Sequence, residues 1–265
     1  MKTQELIMVA GGAGFIFVMT CIGSSMVFFF RKRTSPLAQT IFLGFAAGIM
    51  VAAAAFGLLV PAIEESEAAG VSGWIPAVGG FALGVLFLFA IDRLIPHLHL
   101  SSNTLEGIPT QMKRSSLLVS AVTIHNIPEG MAVGLAFVLA AQHGGDAAQY
   151  TAALALAAGI GIQNLPEGAA VALPLRQEGL SASRSFFLGC ASGAVEPLSA
   201  LMMVALSGII APYMPWLLAF AAGAMMYVVV EELIPEAHLG DHSNVGTLSV
   251  MGGFLLMMAL DVALG

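Results

Sequence analysis

FAAGIMVAAAAFGLLVPAIEE, residues 45–65, and FAAGAMMYVVVEELIPEAH, residues 220–238, are two versions of one pattern. Each opens on FAAG, continues as an apolar run and closes on a proline among glutamates. A shorter word repeats behind each of them, GGFALG at 79–84 and GGFLLM at 252–257. A membrane-spanning helix needs about 20 mostly apolar residues, and both runs supply them. An odd number of apolar segments separates the copies, so the two pairs cross a bilayer in opposite directions. Inverted repeats of this kind mark many secondary transporters, which hold their substrate near the membrane midplane.

The composition agrees with that reading. Of the 265 residues 58% are hydrophobic and only 9% charged, and the mean hydropathy is +0.92. Soluble domains carry roughly 25% charged residues, so the chain reads as an all-α integral membrane protein. No basic face points to a nucleic-acid partner. Eight segments are expected to span the lipid bilayer as helices: 6–30, 37–63, 74–98, 116–140, 149–173, 184–210, 213–236 and 244–264. Together they form a single polytopic domain over 1–265. The separators, among them RKRTSP, EESEAAGVSG, QHGGD and RQEGLSAS, carry turn formers and charges. The first apolar run ends in RKR rather than at a small-residue cleavage site, so it reads as a helix and not a signal peptide. Arg31, Lys32, Arg33, Arg93, Lys113, Arg114, Arg176 and Arg184 fall on one side, and Lys2 alone on the other. The positive-inside rule makes the first side cytoplasmic and leaves both termini on the outer side of the cell (inner) membrane. Cys21 and Cys190, without C-x-x-C spacing, read as small buried hydrophobes, and the methionines as packing.

Against this background VTIHNIPEGMAVG (122–134) and GIQNLPEGAAVAL (161–173) place polar groups where burial is costly, and do so twice. Residues i and i+4 share a helix face, which stacks His125 with Glu129 and Gln163 with Glu167. Asn126 and Asn164 lie at the edges of those faces. Pro128 and Pro166 each remove a backbone donor and predict a break in their helices. VEP (195–197) repeats the device, with Glu196 beside Pro197. Three interrupted helices, each with a glutamate at the break, predict one polar site. Intramembrane ionisable residues are functional by default. One imidazole among oxygen donors suits a divalent ion such as Zn2+, Cd2+, Fe2+ or Mn2+. The lack of thiolates and of a closed tetrahedral N/S set argues against a structural site. With three carboxylates, one divalent ion leaves the site negative and two leave it positive, so the charge count allows either. LIPHLHL (94–100) and LIPEAHL (233–239) gather His97, His99, Glu231, Glu232, Glu236 and His238 around one inner mouth.

HNIPEG, QNLPEG and VEPLSA together resemble the signatures of the ZIP (Zrt/Irt-like protein) divalent metal transporters, with the bacterial GufA-like branch the most similar. The resemblance covers the whole chain. It implies eight helices in a 3+2+3 arrangement, with helices 1–3 and 6–8 as inverted repeats around helices 4–5, and homodimers. It implies metal movement into the cytoplasm, usually of zinc. By position it assigns His125, Asn126, Glu129, Gln163, Asn164, Glu167 and Glu196 to a midmembrane centre of one or two metals. It suggests Glu64 and Asp261 as outer-vestibule acids, and Asp92, His97, His99, Glu231 and Glu232 as cytoplasmic exit ligands. The chain departs from many relatives in having Gln163 for histidine, and from some in having Asn164 for aspartate and Glu231 for histidine.

Two other readings use the same residues. An intramembrane metal-dependent hydrolase would activate water on the bound metal, but no H-E-x-x-H or serine-nucleophile motif supports it. A proton-coupled carrier of an organic substrate would use the carboxylates as relays, but no aromatic pocket accompanies them. The expectation is therefore a transporter and not an enzyme, with the metal as cargo and no organic cofactor.

Overall fold

Inside a bilayer the backbone has no water to bond with, so apolar runs of this length satisfy their own hydrogen bonds as helices. The computed structural model describes residues 3–30, 35–95, 97–98, 105–106, 114–144, 146–237 and 244–264. Along the chain α1 spans Thr3–Ser25, α2 Pro36–Ala52, α3 Val60–Ala68 and α4 Trp74–Leu94. Next come α5 Arg114–Gln142, α6 Ala147–Gln177, α7 Ala182–Gly193 and α8 Val195–Ala205. The last four are α9 Ser207–Ile210, α10 Met214–Val228, α11 Ile234–Ala237 and α12 Asn244–Leu264. Between α4 and α5, β1 His97–Leu98 pairs antiparallel with β2 Leu105–Glu106.

Among the described residues seven helical stretches are long and apolar enough to cross a membrane: Glu5–Phe28, Pro36–Ala68, Trp74–Leu94, Ser115–Gln142, Ala182–Ala205, Ser207–Leu233 and Asn244–Leu264. The remaining expected segment, 149–173, lies within α6. That helix has 31 residues, but Gln163, Asn164 and Glu167 among many Ala and Gly dilute its hydropathy, and it is not one of the seven. The apolar stretch of α5 is 72% buried and that of α12 only 11%, so α5 is central and α12 peripheral.

Local chemistry sets the ends. Ser35 accepts from the Ala38 amide at 3.2 Å, with Pro36 at the first helical position of α2. Ser181 does the same for α7 through Arg184, also at 3.2 Å. Gly70 and Gly179, at φ 76° and 96°, end α3 and α6 in the left-handed conformation that glycine adopts without strain. The third segment stops at Leu94 rather than at 98, because Ile95 precedes a proline and is held extended (φ −98°, ψ 126°).

The breaks differ from those expected. Both α5 and α6 run through Pro128 and Pro166, in line with neighbouring helices compensating for the missing bonds. Only the third expected break occurs, at Ala194 between α7 and α8. Two wide π turns stand elsewhere, Ala53–Leu59 between α2 and α3 and Val229–Leu233 between α10 and α11. There the Val60 amide donates to the Ala55 carbonyl and the Ile234 amide to the Val229 carbonyl. Pro61 and Pro235 follow directly. A proline cannot make the i→i−4 bond, and the wider turn takes up the mismatch.

Glycines let backbones meet at matching places. Gly48 of α2 sits against the Val250 carbonyl of α12, and Gly253 of α12 against the Phe45 carbonyl of α2. In the same way Gly223 of α10 meets the Phe81 carbonyl of α4, and Gly84 of α4 meets the Phe220 carbonyl of α10. Phe45 and Phe220 open the two FAAG words.

Candidate metal centre

The two P-E-G words bring the centre together. Gly130, directly after Glu129, lies on the backbone of Glu196 at the start of α8, and Gly168, directly after Glu167, lies on the Thr20 carbonyl of α1. Any larger residue would hold these helices apart. The contacts turn His125, Asn126 and Glu129 of α5 and Gln163 and Asn164 of α6 into the interior, where all five are buried with Glu196; Glu167 is half-buried.

These side chains form two sets that share Gln163. In the first, Glu196 accepts from Asn126 Nδ2 at 2.9 Å and Thr20 Oγ1 at 3.3 Å on Oε1, and from Asn164 Nδ2 at 2.7 Å on Oε2. Gln163 Nε2 donates to Asn164 Oδ1 at 2.8 Å. The second group borders a cavity of about 40 Å3 that has His125, Glu129, Gln163, Glu167, Met50 and Glu232 in its wall. One oxygen of Glu129, Oε2, is buried without a hydrogen-bond partner. His125 Nδ1 lies 3.3 Å from Glu232 Oε2, so the second π turn reaches the centre directly.

Among the described residues, no group of three or more His, Cys, Asp or Glu side chains is gathered closely enough to hold a metal ion. The distances show why. Glu196 is occupied by amides and a hydroxyl, and His125 is turned to Glu232.

The other expected residues are spread along the helices. Asp92 is buried near the end of α4, close enough to His125 to act on it electrostatically. Of the adjacent pair in the seventh segment, Glu232 is buried and Glu231 exposed. Glu64 is exposed on α3, and Asp261 is half-buried near the end of α12; neither borders the cavity. At the α3 end it is Glu65 that finds a partner, its Oε1 lying 3.0 Å from His143 Nε2 in the turn after α5. His97 falls in β1 with its side chain outside the described residues, and His99 and His238 lie outside them, as does the side chain of Glu236. Sequence reasoning missed Thr20 and Met50. A lone hydroxyl in the FVMTCIG run was the only signal for Thr20, and Met50 had none beyond its type.

A helical bundle with several lipid-compatible spans and a buried polar cavity lined by imidazole, carboxylate, amide and thioether defines a multi-pass membrane protein suited to a cation. The family model described as "ZIP Zinc transporter" matches residues 106–261. The chain is 41% identical to "Zinc transporter GufA" of Myxococcus xanthus, over 79% of this chain and 81% of that one. It is 40% identical to "Zinc transporter ZIPB" of Bordetella bronchiseptica, over 96% and 80%, and 33% identical to "Zinc transporter ZIP11" of Homo sapiens, over 96% of each. The chain belongs to the ZIP zinc transporter family. Membership supports metal transport across a membrane as its role.

Proposed function

We propose that this chain moves divalent transition-metal ions, Zn2+ foremost and also Cd2+, Fe2+ or Mn2+, into the cytoplasm through the cavity between α5 and α6. The observation that carries the reading is that Glu129, which has a buried carboxylate oxygen without a hydrogen-bond partner, lines a cavity together with His125, Gln163 and Glu167. A buried anionic acceptor without a donor is costly unless a positive group visits it. Glu64 and Asp261 attract the ion on the outer side. His125, Asn126, Glu129, Gln163, Asn164, Glu167 and Glu196 make the midmembrane centre. His125 then passes the ion towards Glu232, with Asp92, His97, His99 and Glu231 forming the rest of the exit.

The architecture in this reading is eight spans in a 3+2+3 order, with both termini outside the inner membrane and two chains as a homodimer. Support for the inverted repeat comes from the two π turns at corresponding places and from the matching glycine crossings. Rocking of one helix group against the other would alternate access to the centre.

The test is zinc uptake into proteoliposomes that enclose a fluorescent indicator, for wild type and Glu167→Ala side by side. Flux in the wild type and at least a tenfold loss in the variant are expected. Equal leak in both, or a wild type that binds zinc and moves none, would sink the transport reading.

A further inference from the structure

Where α5 and α7 begin, the bundle encloses a second space that shares no wall residue with the central cavity. Ser115, Ser116 and Ser120 of α5 border it on one side, Arg184 of α7 and Leu180 of the preceding turn on the other. Its volume is about 400 Å3. Small-molecule sites run from about 300 to 1,000 Å3, so the space is large enough for an organic ligand or its headgroup.

The wall carries one charge, Arg184, and no carboxylate. Among the described residues no acid pairs with that guanidinium. The cap of α7 uses only the backbone amide of Arg184, which donates to Ser181 Oγ, so the side chain is left to the cavity. Arg176 is the contrasting case: its Nη1 donates to the Leu180 carbonyl at 3.1 Å and holds the turn that closes the wall. Glu178, in that same turn, is outside the wall and has an interaction of its own. A planar guanidinium with five N–H donors matches two phosphate oxygens at once. The Ser115 and Ser116 hydroxyls add donors beside it, whereas Ser120 Oγ is turned back to the Ser116 carbonyl at 2.9 Å.

Polarity changes with depth. Ser115, Ser116 and Arg184 stand in the first turns of the apolar stretches Ser115–Gln142 and Ala182–Ala205, the level of lipid headgroups. About one turn further in, the wall becomes Val119 and Leu188, and Phe187 beside Leu188 is 68% exposed. A free anion gains nothing from such an apolar inner end, whereas an acyl chain does. Basic pockets between membrane helices on the cytoplasmic side hold anionic lipid headgroups.

We propose that this cavity holds one anionic phospholipid, its phosphate on Arg184, Ser115 and Ser116 and its acyl chains against Val119, Leu188 and Phe187. The lipid ties the first turn of α5 to that of α7. The chemistry is the same whichever way the chain is inserted; only the leaflet, the inner one, follows from the proposed orientation.

Titration of the purified chain in neutral detergent with dioleoylphosphatidylglycerol, followed by native mass spectrometry, tests it. Wild type is expected to retain one molecule more tightly than the rest, and Arg184→Gln to hold it about tenfold more weakly, as loss of one charge-assisted contact implies. Ser116→Asp, a second exposed position, should weaken it likewise by setting a carboxylate at the rim. Arg93→Gln, an exposed charge outside the wall, should leave it unchanged. Wild-type retention in both Arg184→Gln and Ser116→Asp overturns the proposal, as does an equal loss in Arg93→Gln. Equal retention of dioleoylphosphatidylcholine also overturns it, and so does displacement of the lipid by equimolar inorganic phosphate, which would assign the site to a soluble anion. The counts need no flux. A wild type that holds the lipid and moves no zinc defeats transport alone, and zinc flux without a retained lipid defeats this inference alone.

Discussion

Met50 is the sulfur in the cavity wall, 1% exposed and in the same lining as His125, Glu129 and Glu167. Oxygen and imidazole donors treat Zn2+ and Cd2+ alike more nearly than a thioether does, because the softer sulfur favours the softer ion. Exchange of Met for Leu conserves volume and costs a core less than about 1.5 kcal/mol. Met50→Leu is therefore expected to fold normally and to lower cadmium uptake several-fold relative to zinc. Competition between the two ions in one vesicle preparation measures this, and an unchanged ratio would remove Met50 from the coordination sphere. The residue types and spacing of the centre were legible in the sequence, since a buried His, Glu and amide set stands out in an apolar run. The hydrogen bonds that hold Glu196 were not. They depend on Thr20, Ser192 and Ile16, which lie on other helices and carry no mark of their partnership until the chain folds.

At the scale of the helix, glycine and proline behave differently as signals. Gly253 and Gly252 are neighbours, yet an added Cβ at Gly253 would strike the Phe45 carbonyl while one at Gly252 meets only a ring carbon at 4.0 Å. Backbone cannot yield as a side chain can, so Gly253→Ala should cost about 1–3 kcal/mol as an overpacking change. Gly252→Ala should be neutral or stabilise by up to about 1 kcal/mol through lower chain entropy. Thermal unfolding of the two variants in detergent is expected to move in opposite directions; a shared fall would mean the α2–α12 contact is not what Gly253 serves. The repeated FAAG and GGF words were thus legible as fold, because close crossings need small residues and leave them in the sequence. Proline was ambiguous. The same residue is absorbed within α5 and α6 at Pro128 and Pro166 but follows a π turn at Pro61 and Pro235. It states that a hydrogen bond is missing without stating how the neighbours will compensate.

Over the whole molecule the open question is whether α6 crosses the membrane, since hydropathy alone leaves it out. Two contacts bear on it. At one end of α5 the His143–Glu65 pair joins the turn before α6 to the end of α3. At the other end Ser115, Ser116 and Ser120 of α5 share a cavity of about 400 Å3 with Leu180 from the turn after α6 and Arg184 from the first turn of α7. So α6 starts beside one end of α5 and finishes beside the other, and at about 1.5 Å per residue its 31 residues reach well past a hydrocarbon core of about 30 Å. Its polar residues face protein rather than lipid, which is the circumstance in which a weakly apolar helix can span. In the proposed orientation the positive-inside rule puts Arg176 and Arg184 at the cytoplasmic end of α6 and Asp146 at the outer one. In a chain with Cys21 and Cys190 replaced by alanine, Asp146→Cys should react with an impermeant maleimide on intact spheroplasts, and Ser181→Cys only after permeabilisation. If both label from the same side, α6 does not cross, the copies on either side of it no longer run in opposite directions, and alternating access built on an inverted repeat fails with them.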